Sequence, residues 1–293
     1  MWQRLRFYIP FTWRYVILRR PEPLFYGIAL TSRCNLSCRG CRVANNGLPD
    51  LTWDQLIHGM QNAWRKGFRE LYFTGGEPML WRDGEYTLKD AVIAAKMEGF
   101  FHVHVYTNGT CGLDTLADLV WVSMDGLPGT FELRRGDHFC EVEQAVRNSR
   151  HPKTALIYVI DRNTAGGIEP FLEWVRETRF PVMGVMFYFH TPYYGQDELF
   201  LSSAERAPII DRLLACIRDG LPVMNSHAGL LALKSGRWPR RIPSVHILDS
   251  QGEYICCRVA DEVCAECGYA ACTEITEFQR LHPSAVLGML RYW

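Results

Sequence analysis

The chain has 293 residues, 48% of them hydrophobic and 22% charged, with 32 basic and 32 acidic side chains. That is ample material for one large domain, or for a domain with a small appendage, and zero formal net charge argues against nucleic acid as a general partner. No run nears the roughly 20 apolar residues of a bilayer span, and the N-terminus lacks the apolar core and cleavage site of a signal peptide, so a cytoplasmic protein is expected.

Residues 1–23 form an aromatic-basic arm. Arg4, Arg6, Arg14, Arg19 and Arg20 alternate with Trp2, Phe7, Tyr8, Phe11, Trp13 and Tyr15, with no acidic residue before Glu22. Such a mixture suits a lipid headgroup boundary, the inner face of a membrane; it equally suits an arm that wraps a barrel and buries its rings. Pro10 is expected to kink or interrupt a helix here. From Tyr26 to Thr31 the pattern turns to a strand, and five more follow at Glu70–Phe73, Phe101–Tyr106, Leu119–Met124, Ala155–Ile160 and Val182–Phe189. Helical stretches near 52–66, 87–98, 168–179 and 203–218 alternate with them. Strand, loop and helix in repetition predict an α/β fold, a partial (β/α)6 TIM-type barrel over residues 24–220. Its loops gather at one mouth, where barrel enzymes place their sites. A cap is expected over 221–293, with a short hairpin at Val245–Cys256, then a segment of weak periodicity that depends on metal for its order.

Eleven cysteines are the outlier. An odd, uneven set in a chain this long is no disulfide scaffold. Cys111, Cys140 and Cys216 stand alone and read as small buried hydrophobes; the clusters at 34–41 and 256–272 read as metal sites in a reducing compartment. Cys34, Cys38 and Cys41 have C-x3-C-x2-C spacing. Three soft thiolates can hold three irons of a cubane cluster and leave the fourth open, whereas a structural zinc wants four ligands.

This triplet after a first strand, with Gly75-Gly76-Glu77-Pro78 after the second, closely resembles the radical S-adenosylmethionine (SAM) superfamily over about residues 24–220. The resemblance implies a 4Fe-4S cluster whose open iron is chelated by SAM, and a 5′-deoxyadenosyl radical that abstracts hydrogen from, or adds to, an organic substrate. It implies an electron donor such as flavodoxin or ferredoxin. It implies that Gly75 and Gly76 let backbone approach the methionine moiety, that Glu77 accepts from its ammonium, and that Asn108, Ser123, Asp125 and Asn163 hold the ribose and carboxylate. Gly40 departs from the family pattern, which has an aromatic or bulky residue against the adenine; a glycine here also occurs in the adenosylhopane-forming branch.

The segment from Asp249 to Cys272 resembles a truncated auxiliary-cluster domain of SPASM or twitch type. Cys257, Cys264, Cys267 and Cys272 are the expected ligands of a second 4Fe-4S cluster, with Cys256 as an alternative for the first and zinc as an alternative metal. Only one of the adjacent pair is expected to face a given cluster. The other, with Tyr106, Tyr188, Tyr193, Tyr194 and His190, is a candidate hydrogen donor or pocket wall. The basic arm favours a membrane-associated lipid or isoprenoid as substrate. A peptide- or protein-modifying enzyme is the alternative, and a non-catalytic metal-binding scaffold a further one.

Overall fold

The computed structural model describes residues 2–193, 195–257 and 261–292. Its strands are β1 (Phe25–Thr31), β2 (Glu70–Gly75), β3 (Arg82–Asp83), β4 (Tyr86–Thr87), β5 (His102–Thr107), β6 (Leu119–Ser123), β7 (Thr154–Ile160), β8 (Val185–Phe189), β9 (Val245–Asp249) and β10 (Gly252–Ile255). The six predicted apolar runs form a parallel array β1-β2-β5-β6-β7-β8, while β3 and β4 make a separate small hairpin. The α/β class and partial TIM-type barrel are as expected, and period-2 alternation accounts for the layers. Tyr26, Ile28, Leu71, Phe73, Val103 and Val105 face one buried layer, while Tyr72, His104, Tyr106, Trp121, Met186 and Tyr188 line the lumen.

The helices are α1 (Trp2–Thr12), α2 (Trp53–Lys66), α3 (Leu88–Glu98), α4 (Glu132–Arg135), α5 (Phe139–Asn148), α6 (Ile168–Glu177), α7 (Ser203–Arg218), α8 (His227–Ser235), α9 (Ala270–Gln279) and α10 (Pro283–Tyr292). Local chemistry sets the ends of several. Thr52 with Gln55 and Ser202 with Glu205 make capping boxes, and Gly67 and Gly99 close α2 and α3 in the left-handed region.

Four departures from the expectation are informative. The crossover between β6 and β7 carries α5, unpredicted although Phe139, Val142 and Val146 recur on one buried face. The hairpin β9–β10 does not hang off the barrel: β9 pairs in parallel with β1, so the sheet has eight strands. The segment beyond Cys267 is helical rather than irregular. α9 is buried on nearly every side, which erases the one-sided stripe by which a surface helix is recognised. Finally, Cys111 and Cys140 are exposed, and of the three isolated cysteines only Cys216 is buried.

The arm does not stop at Pro10. α1 runs through it and continues as a π-helical turn at Trp13–Ile17. Phe7, Phe11 and Tyr15 stack in series, centroids 5.6 and 5.2 Å apart. They join a core with Phe278, Ala285 and Met289. Arg4 donates to Phe101 O and Tyr8 to Glu70, at the N-terminal ends of β5 and β2. The arm therefore closes the barrel floor, opposite the mouth.

Within that floor, Glu274 on α9 accepts the Ser226 N–H at 2.9 Å. A Cβ at Gly229 on α8 would stand 2.3 Å from the Glu274 carboxylate, so a side chain there would have to displace it. Burial, with Glu277 adding to it, pushes the Glu274 pKa up to about 7. The folded chain thus binds this proton more tightly than the unfolded chain, so the group stabilises the fold below pH 4.5 and the contribution fades as pH rises through about 7. Glu274→Gln is expected to flatten the decline in urea-unfolding stability between pH 5 and 7; an unchanged slope would show the carboxyl to be ionised throughout.

Candidate cluster site and cavity at the barrel mouth

Strands β1, β2, β5, β6 and β7 end at one mouth, and the cysteine loop follows β1. The Cys34 sulfur accepts from Leu36 N–H at 3.4 Å and from Asn108 Nδ2 at 3.6 Å. The Cys38 sulfur faces Arg135 Nη1 at 3.8 Å, and Cys41 N–H bonds back to Cys38 O at 3.1 Å. Asn45 pins the loop, accepting from Cys34 N–H and donating to Leu36 O. Burial raises the Cys34 and Cys38 thiols, while the N–H donors on Cys34 and the Arg135 charge beside Cys38 pull them back. N–H donors and a cation aimed at sulfur are what a thiolate-bound iron cluster needs around it, so this donor set fits the group. Among the described residues no three His, Cys, Asp or Glu side chains close on one ion-sized point; thiolates on different corners of a cluster stand farther apart than those sharing one ion.

The glycine pair has a tighter reason than approach to a ligand. A Cβ on Gly75, whose φ is +142°, would lie 2.3 Å from Thr31 O, and one on Gly76 2.2 Å from Arg33 O. The turn after β2 is pressed against the backbone that starts the cysteine loop, and only glycine fits. Glu77 is fully buried and already engaged. It accepts from Thr107 Oγ1 at 2.8 Å, Asn108 N–H at 2.7 Å and Met79 N–H at 3.0 Å. Glu77 thereby braces the β2 and β5 loops together. Asn108, in turn, orients the loop through Asn35 Oδ1 at 2.9 Å.

Asp125 is also internal. Its carboxylate accepts the Val159 N–H at 2.6 Å and pairs with Arg135 Nε at 2.7 Å and Arg134 Nε at 3.3 Å. Arg134 pairs in addition with Asp161. Burial opposes the Arg135 charge, but Asp125 and Cys38 outweigh it and hold its pKa above the ordinary value. The result is a buried chain of charges, Asp161–Arg134–Asp125–Arg135, that ends on the Cys38 thiol. Neither arginine was anticipated. Their only sequence signal is an Arg-Arg pair after Asp125-Gly126, and pairing across the fold is invisible from spacing. Ser123 is half-buried at the end of β6, and Asn163 lies in the turn after β7, where Asp161 takes its N–H. At Gly40 the φ is +76°, and a Cβ would meet Leu199 at 2.6 Å and His190 at 3.1 Å; an aromatic neighbour for Cys41 has no room because His190 and Leu199 occupy the space.

A cavity of about 310 Å³ opens beside this site. Tyr72, Thr74 and Tyr106 form its inner wall, and Cys256, Cys257, Cys264, Cys267 and Cys272 all border it. Both members of the adjacent pair border this space, and Cys256 adopts a left-handed φ of +69°. Its sulfur lies 3.6 Å from that of Cys272, an interaction that lowers the Cys256 pKa and raises that of Cys272. The cap also bridges the open edge of the barrel, since Phe189 N–H on β8 donates to Gly268 O at 2.9 Å. Of the other candidates, Tyr106 and Tyr193 border the cavity, whereas Tyr188 stacks on Tyr269 at 4.9 Å in the lumen. His190 is tied to Asp197 at 3.1 Å, and Tyr194 lies outside the described residues.

Residues 28–191, more than half of the chain, match the family model described as the radical SAM superfamily. The chain belongs to this superfamily. It is similar to a GTP 3′,8-cyclase of Parasynechococcus marenigrum (strain WH8102), 34% identical over 132 residues that cover 40% of this chain and 38% of the relative. It is also similar to the sporulation killing factor maturation protein SkfB of Bacillus subtilis (strain 168), 32% identical over 125 residues, 39% of this chain and 29% of that protein. These matches span about a third of the relatives' length. Among solved structures, native anSMEcpe with bound AdoMet superposes with a TM-score of 0.64 at 19% identity, covering 92% of this chain and 84% of its own. Streptococcus suis SuiB bound to precursor peptide SuiA gives 0.58 at 13%, covering 78% and 58%. These two likenesses concern the fold. Radical SAM membership brings a 4Fe-4S cluster and SAM as cofactors, and makes the chain an enzyme.

Proposed function

We propose that the superfamily member described here acts on an organic substrate held in the mouth cavity between two clusters. Cys34, Cys38 and Cys41 would hold the SAM-binding cluster. Cys257, Cys264, Cys267 and Cys272 would hold a second 4Fe-4S cluster, in a SPASM- or twitch-like cap. When bound and reduced by a flavodoxin- or ferredoxin-type donor, the cofactors supply a 5′-deoxyadenosyl radical that removes hydrogen from a substrate carbon. The chain's own part is to orient and shield. Asn108 and Arg135 set the polarity around Cys34 and Cys38, Gly75 and Gly76 lock the loop, and the cap covers the cavity and limits water.

The observation that carries this reading is the convergence of all five cap cysteines on the cavity that Tyr72 and Tyr106 line from the barrel side. It also bears on substrate class. The aromatic-basic arm, which motivated a lipid or isoprenoid, sits on the barrel floor, so it does not deliver a bilayer molecule to the mouth. A peptide or protein segment arriving from water is the better supported substrate, in keeping with the names of SkfB and of the peptide-bound SuiB structure.

Anaerobic reconstitution tests both halves. About eight irons per chain are expected, falling to about four in Cys264→Ala/Cys267→Ala, and about four in both proteins would remove the second cluster. Deuterium transfer into 5′-deoxyadenosine from labelled peptide, and not from labelled lipid extract, supports the peptide reading; the reverse pattern restores the lipid one.

A further inference from the structure

The arm has two unlike faces. Phe7, Phe11 and Tyr15 recur every four residues and are covered by the barrel floor. Ile9, Trp13 and Ile17 recur at the same spacing on the far side and are 67%, 59% and 51% exposed. Over the same core, α10 buries Ala285 and Met289 but leaves Leu287 and Leu290 62% and 57% exposed. Single exposed apolar residues need no explanation, but a stripe on each of two helices over one core does. Arg4, Arg6, Arg19 and Arg20 are exposed around it, and no acidic residue lies between residues 2 and 21. Arg4 and Arg19 are partly engaged with Phe101 O and Gln279 O.

A second copy is a poor occupant. A two-fold contact sets a patch against itself, which would bring arginine against arginine with no carboxylate of the arm to relieve it. An anionic bilayer satisfies both features at once, taking the apolar stripe at the headgroup boundary and the arginines on lipid phosphates. No helix among the described residues is long and apolar enough to cross a membrane, so any attachment through this face is peripheral.

We propose that the barrel floor docks on an anionic phospholipid surface through Ile9, Trp13, Ile17, Leu287 and Leu290, with Arg6 and Arg20 meeting phosphate. Because the floor lies opposite the strand C-terminal ends, docking turns the cavity mouth toward water. The enzyme is then tethered to the bilayer while its substrate comes from the aqueous side. This goes beyond the proposed chemistry and is independent of it.

Flotation of the full chain with phosphatidylcholine vesicles, with and without phosphatidylglycerol, tests it. Flotation is expected only with the anionic lipid. The bound fraction should fall about tenfold or more for Trp13→Ser/Ile17→Ser, and likewise for Arg6→Gln/Arg20→Gln. Ile93→Ser, an exposed apolar residue midway along α3, should float like the parent. SAM cleavage and melting temperature should be unchanged in all three variants, which separates lost docking from lost folding or chemistry. The proposal is overturned if the parent does not float, if the two docking variants float as well as the parent, or if light scattering shows those substitutions dissolving a dimer while vesicle binding persists.

Discussion

Cys38→Ala is expected to reduce SAM cleavage to background and to remove about four irons per chain, while any iron held by the cap stays in place. The cause is specific to this position. The Cys38 sulfur is the one that meets Arg135, so its loss takes away a ligand and leaves the end of a buried charge chain facing nothing. Cys111→Ala provides the contrast, since that thiol is exposed and outside the loop; iron and turnover should match the parent. Iron analysis, EPR with and without SAM, and chromatographic measurement of 5′-deoxyadenosine check the pair. Retained cleavage in a fully metallated Cys38→Ala protein would mean that the triplet is not the SAM-binding site.

The second large effect is on stability. Asp125→Ala is expected to cost about 3–5 kcal/mol, because it leaves Arg134 and Arg135 buried without the carboxylate that lies between them. Against a typical total of about 5–15 kcal/mol, that is about a fifth of the fold's margin or more. Asp125→Asn keeps an acceptor for the Val159 N–H and should lose less, though the charge is gone. Urea unfolding of the apoprotein reads both. A change below about 1 kcal/mol, accompanied by weakened SAM binding, would return Asp125 to the cofactor-holding role expected from family resemblance.

Much of the barrel was legible before any coordinates. Its strands are short, apolar and separated by Gly, Asn and Asp turns, and parallel strands buried on both faces must read that way. α2 and α7 were legible as helical stretches, and the structure shows capping boxes fixing their starts. α5 went unpredicted although its buried face repeats regularly. α9 had no readable stripe, since its polar residues Thr273, Glu274, Thr276 and Glu277 are as buried as its apolar ones.

The site divides along the same line. Which thiols and which glycines matter is written in local spacing, because a cluster loop and a tight turn are each built from a few consecutive residues. What those residues touch is not. Gly75 and Gly76, expected to make room for a ligand, also make room for the backbone of the neighbouring loop. Glu77 and Asp125, expected from the resemblance to hold the cofactor, also brace buried loops inside the chain. The arginines that meet Asp125 carry no local signature at all.

By itself, the sequence determined the chemistry available to this protein: three thiolates on one loop, a glycine turn beside them, and six strands to hold both at one mouth. Only the tertiary structure decided how those parts face each other. It joined β9 to β1, brought five cap cysteines to one cavity, and put the arm on the floor instead of the mouth. The physical reason is range. Capping, turn and ligand spacing act over a few residues, whereas pairing and burial are settled between segments up to 264 residues apart.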